Sequence, residues 1–145
     1  MRRFPCWPAT AGFSLIELMI VVLIIGVLLA VALPSYKQSV LESGRAEGKS
    51  LLLQAASQQE QYYSVNNSYS STANPMSNPP VEVVLSANGW YQVSVSACTG
   101  GTIKNCFLAS ANPLGRQTED ICMTLTLSNT GLKGARGASV ADCWR

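Results

Sequence analysis

The stretch Phe13-Ser-Leu-Ile-Glu17-Leu-Met-Ile-Val-Val-Leu-Ile-Ile-Gly26-Val-Leu-Leu-Ala-Val-Ala-Leu33-Pro34 decides how the rest of the chain is read. From Phe13 to Leu33 only Ser14 and Glu17 are polar, and about 20 apolar residues rising ~1.5 Å each match the hydrocarbon thickness of a bilayer. The segment therefore reads as a membrane-spanning helix. Its one carboxylate is the anomaly, because an isolated charge deep in a bilayer costs roughly 2.5–3.5 kcal/mol. A partner cation for Glu17 has to come from outside the segment, another copy of the chain being one source. Two plainer readings stand beside this one. A carboxylate only a few residues into a helix can stay at headgroup level and gain from the helix dipole. Arg2 and Arg3, with Ala30-Val31-Ala32, also fit a cleaved secretory signal, although the run is longer than its usual ~7–15 residues and carries an acid.

The residues around the junction favour the first reading. Gly12-Phe13-Ser14-Leu15-Ile16-Glu17 followed by the apolar run resembles the signal of type IV prepilins, with Gly26 and Pro34 at positions where pilins commonly carry glycine and proline. The resemblance implies removal of residues 1–12 as a leader by prepilin peptidase, N-methylation of Phe13 and a role for Glu17 in subunit assembly. One departure is that residues 4–11 separate Arg3 from Gly12, which bears on the start of the leader.

Beyond residue 34 there is length for one small domain, 35–145, which includes the second half of the helix. The chain carries ten Lys and Arg against eight Asp and Glu; without Arg2 and Arg3 the rest balances at eight against eight. A neutral chain gives no global reason to expect an acidic partner. Arg2 and Arg3 before the apolar run place the N-terminus in the cytoplasm and the domain across the inner membrane. Of five cysteines, Cys6 falls in the leader, which leaves Cys98, Cys106, Cys122 and Cys143 in an oxidising compartment. Three pairings are open to four cysteines. Cys98–Cys106 and Cys122–Cys143 are favoured because the first pair flanks a Gly-Gly turn and the second closes the C-terminal loop. Zinc is disfavoured by the absence of histidine and of any C-x-x-C pair, and no cofactor is expected.

The helix is expected to continue to about Ser64, bent near Pro34. Leu33, Val40, Gly44, Leu51, Ala55 and Tyr62 recur at spacings of seven and four and form its packing stripe; Glu42, Arg45, Lys49 and Glu60 are placed opposite. Residues 65–80 read as a surface loop. Strands are expected over 90–97, 106–111 and 121–128, with a short extra one at 81–85, and an irregular Gly-rich loop from Asn129 to Cys143. This order gives an α+β fold, a long N-terminal helix packed on a small antiparallel sheet with a disulfide-closed end.

The second half extends the resemblance. Arg45-Ala46, Gln59-Glu60, Tyr62-Tyr63, Gln117, Asp120, Cys122, Gly131 and Cys143-Trp144, with their neighbours, are similar to minor pilins of the PilE type. The resemblance implies a filament subunit whose partners are other pilins, prepilin peptidase, the assembly platform and, before assembly, the inner membrane, with pilus assembly, twitching motility and surface attachment as its roles. A major pilin or a type II secretion pseudopilin is the alternative, and a DNA-binding pilin for DNA uptake a second. An enzyme is disfavoured: no catalytic motif occurs, and Glu119-Asp120 reads as a solvated turn. Only Asp142 lies among the acids of residues 129–145, which argues against calcium. Arg116, Lys133, Arg136 and Arg145 are candidates for phosphate contact, but scattered cations in Gly-rich sequence read more simply as solvated surface, so nucleic acid is the weaker partner.

Overall fold

The computed structural model describes residues 12–145. The leader up to residue 11, with Cys6, lies outside the described residues. The chain divides into two compact units between Lys37 and Gln38.

In the first unit, helix α1 begins at Leu15 and runs unbroken through Pro34. Every residue from 12 to 39 is exposed, so the apolar segment has no intramolecular partner among the described residues. A helix apolar on all sides belongs in lipid or against other apolar helices.

The second unit holds the remainder of α1, which ends at Asn66, and five strands. These are β1 (Val83–Leu85), β2 (Tyr91–Ala97), β3 (Phe107–Pro113), β4 (Leu125–Ser128) and β5 (Lys133–Ala135), in the spatial order β1-β2-β3-β4-β5 with every neighbour antiparallel. A short helix α2 (Val140–Cys143) closes the chain. Alternation sets the faces of the sheet. Tyr91, Val93 and Val95 on β2, Phe107, Ala109 and Ala111 on β3, and Leu125 and Leu127 on β4 are buried, and the register aligns Val93, Ala111 and Leu125 in one row. These side chains join Leu51, Leu52 and Ala55 of α1 in a single core.

The helix packs through a different stripe from the expected one. Gly44, Gly48, Leu51, Leu52, Ala55 and Gln59 are buried, whereas Leu33 is exposed and Val40 and Tyr62 are half-buried. A strict seven-residue spacing drifts about 20° per heptad on a straight 3.6-residue helix, so a long stripe drawn at sevens leaves the contact face at its ends. Arg45 is also misplaced by the expectation, since it lies on the sheet side. The loop after α1 is not wholly surface: Tyr69 and Ala73 are core residues, and Tyr69 sits edge-on to Phe107 at 4.9 Å and 4.6 Å from Tyr63. Buried Gln59 ties this loop down, donating to the Thr72 carbonyl at 2.6 Å and accepting from the Ser70 N–H at 2.9 Å.

Two further expectations are corrected. Residues 121–124 are not strand: the chain turns at Asp120, the Met123 N–H donates to the Asp120 carbonyl at 3.1 Å, and Met123 adopts φ 52°. The Gly-rich run is not wholly irregular, because residues 133–135 pair with β4 across a turn closed by Ser128 N–H to Leu132 O at 3.0 Å. Glycine at 134 hid this strand from an alternation test.

Candidate functional site

Gly12 and Phe13 lie before the start of α1 and are exposed, Phe13 at 83%. Glu17 stands in the first turn of α1, where a carboxylate faces unpaired backbone N–H groups. Among the described residues it makes no ion pair. Cys98 is joined to Cys106, with Cα atoms 5.6 Å apart, and Cys122 to Cys143, at 5.7 Å. The first disulfide is half-buried beside the Gly100-Gly101 turn; the second lies in the core.

The most elaborate polar site in the second unit centres on Asp120. This residue is 2% exposed, and its carboxylate accepts from Arg45 Nη2 at 2.6 Å, Arg45 Nε at 3.0 Å, Gln117 Nε2 at 3.1 Å, the Cys122 N–H at 3.1 Å and Tyr91 Oη at 3.3 Å. Gln117 Nε2 also donates to the Leu41 carbonyl at 2.9 Å, so α1, β2 and the turn after β3 meet at one place. Burial pushes the Asp120 carboxyl up, but the Arg45 guanidinium, with the Cys122 N–H and Gln117, holds it below the usual carboxylate range. Hydrogen bonding to Asp120 raises Arg45 against the opposing effect of its own burial. Burial, opposed by Gln117 and reinforced by Asp120, takes the Tyr91 phenol up to about 12.

Two glycines make this meeting possible. A Cβ on Gly48 would stand 3.0 Å from the Tyr91 ring, and one on Gly44 would collide with Gln117 Oε1 and the Trp90 ring. The expectation that Glu119-Asp120 is a solvated turn is therefore overturned for Asp120, whose partner lies 75 residues away. Beside the clamp a cavity of about 510 Å³ is lined by Leu41, Glu42, Glu119 and Ile121. Two other acids on its wall, Asp120 and Asp142, are occupied by Arg45 and Arg145.

Three of the four candidate phosphate-binding cations are engaged within the chain. Arg116 stacks on Trp90 at 4.6 Å, Lys133 on Trp144 at 5.2 Å, and Arg145 pairs with Asp142 at 3.2 Å. Arg136 is exposed at the polar outer face of the sheet, beside Ser94, Ser110, Asn112 and Thr126. Trp144 also donates from Nε1 to the Gly134 carbonyl at 2.9 Å, which fixes the C-terminal end on β5.

Residues 34–126, more than half of the chain, match the family described as type IV minor pilin ComP, DNA uptake sequence receptor. The chain belongs to the type IV minor pilins. The N-terminus of this pilin, residues 7–33, matches the prokaryotic N-terminal methylation motif. The pilin is 32% identical over 131 residues to fimbrial protein EcpC of Eikenella corrodens, covering 90% of this chain and 71% of that protein. It is 40% identical over 73 residues to the type IV major pilin protein PilA of Myxococcus xanthus, covering 50% of this chain and 33% of that one. A solved type IV pilin from Shewanella oneidensis aligns with a TM-score of 0.48 at 25% identity, over 64% of this chain and 89% of that one. Association with other pilin subunits in a pilus follows from the family.

Arg45, Gln117 and Asp120 were each part of the sequence resemblance, yet no local pattern joins them. Tyr91 carried no signal beyond strand alternation.

Proposed function

We propose that this pilin is made as a precursor, cut by prepilin peptidase between Gly12 and Phe13, methylated at the new Phe13 amine and incorporated as a minor subunit of a type IV pilus. Residues 13–34 span the inner membrane before assembly, with the N-terminus cytoplasmic and residues 35–145 periplasmic; afterwards the subunit is extracellular. The assembly platform and neighbouring pilins are its partners, and it performs no reaction of its own. The observation that carries this reading is the methylation motif over residues 7–33, next to an apolar helix exposed on all sides. An apolar helix leaves lipid for an equally apolar filament interior with little hydrophobic penalty, so packing and specific polar contacts decide its position.

Glu17 supplies such a contact. Paired with the Phe13 amine of a neighbour ~4 Å away, it gains about 4 kcal/mol at an effective dielectric near 20, before desolvation is subtracted. Intact-mass analysis of the membrane form should show a chain starting at methylated Phe13; a start at Leu33 would identify a cleaved secretory signal instead. Glu17→Val should leave cleavage intact, raise the amount held in the inner membrane and lower the amount in sheared pili. Wild-type incorporation of that variant in competition with the native subunit removes the role assigned to Glu17.

The description of the matching family as a DNA uptake sequence receptor favours a second reading, in which this pilin also binds DNA. Arg116, Lys133, Arg136 and Arg145 are the cations available for phosphate contact. The full chain in detergent should then retain duplex DNA at low salt, with log affinity falling by about 0.9 per contacted phosphate for each decade of salt. No retention at about 50 mM salt removes this reading.

A further inference from the structure

We propose that residues 38–50 of α1 form a neck that detaches from the sheet as a unit while residues 51–59 stay docked. The distribution of burial along the helix carries the inference. Between 38 and 50 the only buried residues are Gly44 and Gly48, which bring no side chain to the core. The next turns bury Leu51, Leu52, Ala55 and Gln59. Apolar area removed from water is the main force holding a helix to a sheet, so the second stretch, which buries its own side chains, is held more strongly than the first, which offers only the backbone at Gly44 and Gly48 to the Trp90 and Tyr91 rings.

What fastens the neck is polar. Gln117 Nε2 reaches the Leu41 carbonyl, Arg45 grips Asp120, Glu47 accepts from the Asn88 side chain and backbone, and Lys49 Nζ donates to the Arg145 carbonyl at 2.6 Å. The Glu47 and Lys49 contacts are exposed, where water competes for the same groups. Among the described residues the Arg45–Asp120–Gln117 clamp is the one fastener of the neck shielded from solvent, and opening of the neck follows the opening of that clamp. Once undocked the neck is the weakest stretch of α1, because the glycines at 44 and 48 are poor helix formers and no longer have tertiary packing to hold them. In a filament subunit, on the function proposed above, its opening uncovers the Tyr91 ring but leaves Leu51, Leu52 and Ala55 packed, a low-stability element of the kind that local opening selects.

Hydrogen–deuterium exchange of the full chain in detergent micelles tests this. In the native chain, amides of residues 42–50 should exchange at least tenfold faster than those of 52–59. Asp120→Asn should accelerate 42–50 by a further tenfold or more while the gap to 52–59 persists, because the clamp is lost both when the neck opens and when the whole domain unfolds. Arg45→Lys, which keeps the charge and loses the fork, should fall between and serves if Asp120→Asn does not fold. Equal exchange of the two segments in the native chain, a collapse of the gap between them in the variants, or no acceleration of 42–50 overturns the proposal.

Discussion

Arg45 and Asp120, 75 residues apart in sequence, meet through hydrogen bonds of 2.6 and 3.0 Å in a fork that joins the helix to the turn leading into the buried Cys122–Cys143 disulfide. The Asp120 side chain is 1% exposed and that of Arg45 13%, so neither partner can be replaced by water at low cost. Breaking one side of such a pair is far more damaging than removing both charges.

Arg45→Met should therefore destabilise the domain by about 3 kcal/mol, since it strands a buried carboxylate. The double variant Arg45→Met with Asp120→Asn should be more stable than Arg45→Met alone, because the amide that replaces the carboxylate carries no charge and still accepts from the Cys122 N–H. Urea unfolding of the three proteins checks the order; a double variant weaker than the single would show that the charge on Asp120 is not the cost.

The same site sets limits at both ends of the pH range. Asp120 is held below its unfolded value, so the stability it contributes is present above about pH 4 and is lost as pH falls through the folded value. Tyr91 is raised to about 12, so its contribution is complete below the unfolded value near 10 and is lost as pH climbs from there towards 12, on the order of 2 kcal/mol. Melting temperature against pH should fall at both ends, and Tyr91→Phe should remove most of the alkaline fall while leaving the acid one.

Gly48→Ala should destabilise the domain by about 1–3 kcal/mol, because the added methyl meets the Tyr91 ring at 3.0 Å. Gly26→Ala, with nothing within 4 Å of the added atom, should leave domain stability unchanged. Thermal melts of the two variants separate a contact requirement from a general glycine effect.

The two disulfides should differ in chemistry more than in chain entropy. For loops of 8 and 21 residues the entropic contributions are both roughly 2.5–3.5 kcal/mol. Cys98–Cys106 is half-buried, whereas Cys122 and Cys143 have no exposed surface. Mild reductant applied to the native chain should open Cys98–Cys106 first, as read by alkylation and peptide mapping; simultaneous opening would show that burial does not protect the second bridge.

Much of this pilin was legible without coordinates because it is written locally. The apolar run from Phe13 to Leu33, the methylation motif over residues 7–33 and the alternation in Tyr91–Ala97 each depend on near neighbours, and period and composition report such features directly. The α+β order followed from them. The β4–β5 hairpin had a local signal too, Asn129-Thr-Gly131, but Gly134 interrupted the alternation that would have extended it.

The clamp had no such signal. Asp120 beside Glu119 reads as solvated on any local argument, and Arg45 falls opposite a stripe drawn at sevens. Only the turn at Asp120, the close approach allowed by Gly44 and Gly48 and the true 3.6-residue face of α1 bring Arg45, Tyr91, Gln117 and Asp120 together. Sequence alone determined which segment is long and apolar enough to cross a bilayer and which residues alternate, since these are properties of neighbouring residues. The tertiary structure decided which polar groups are buried together, because that depends on where distant backbone segments cross.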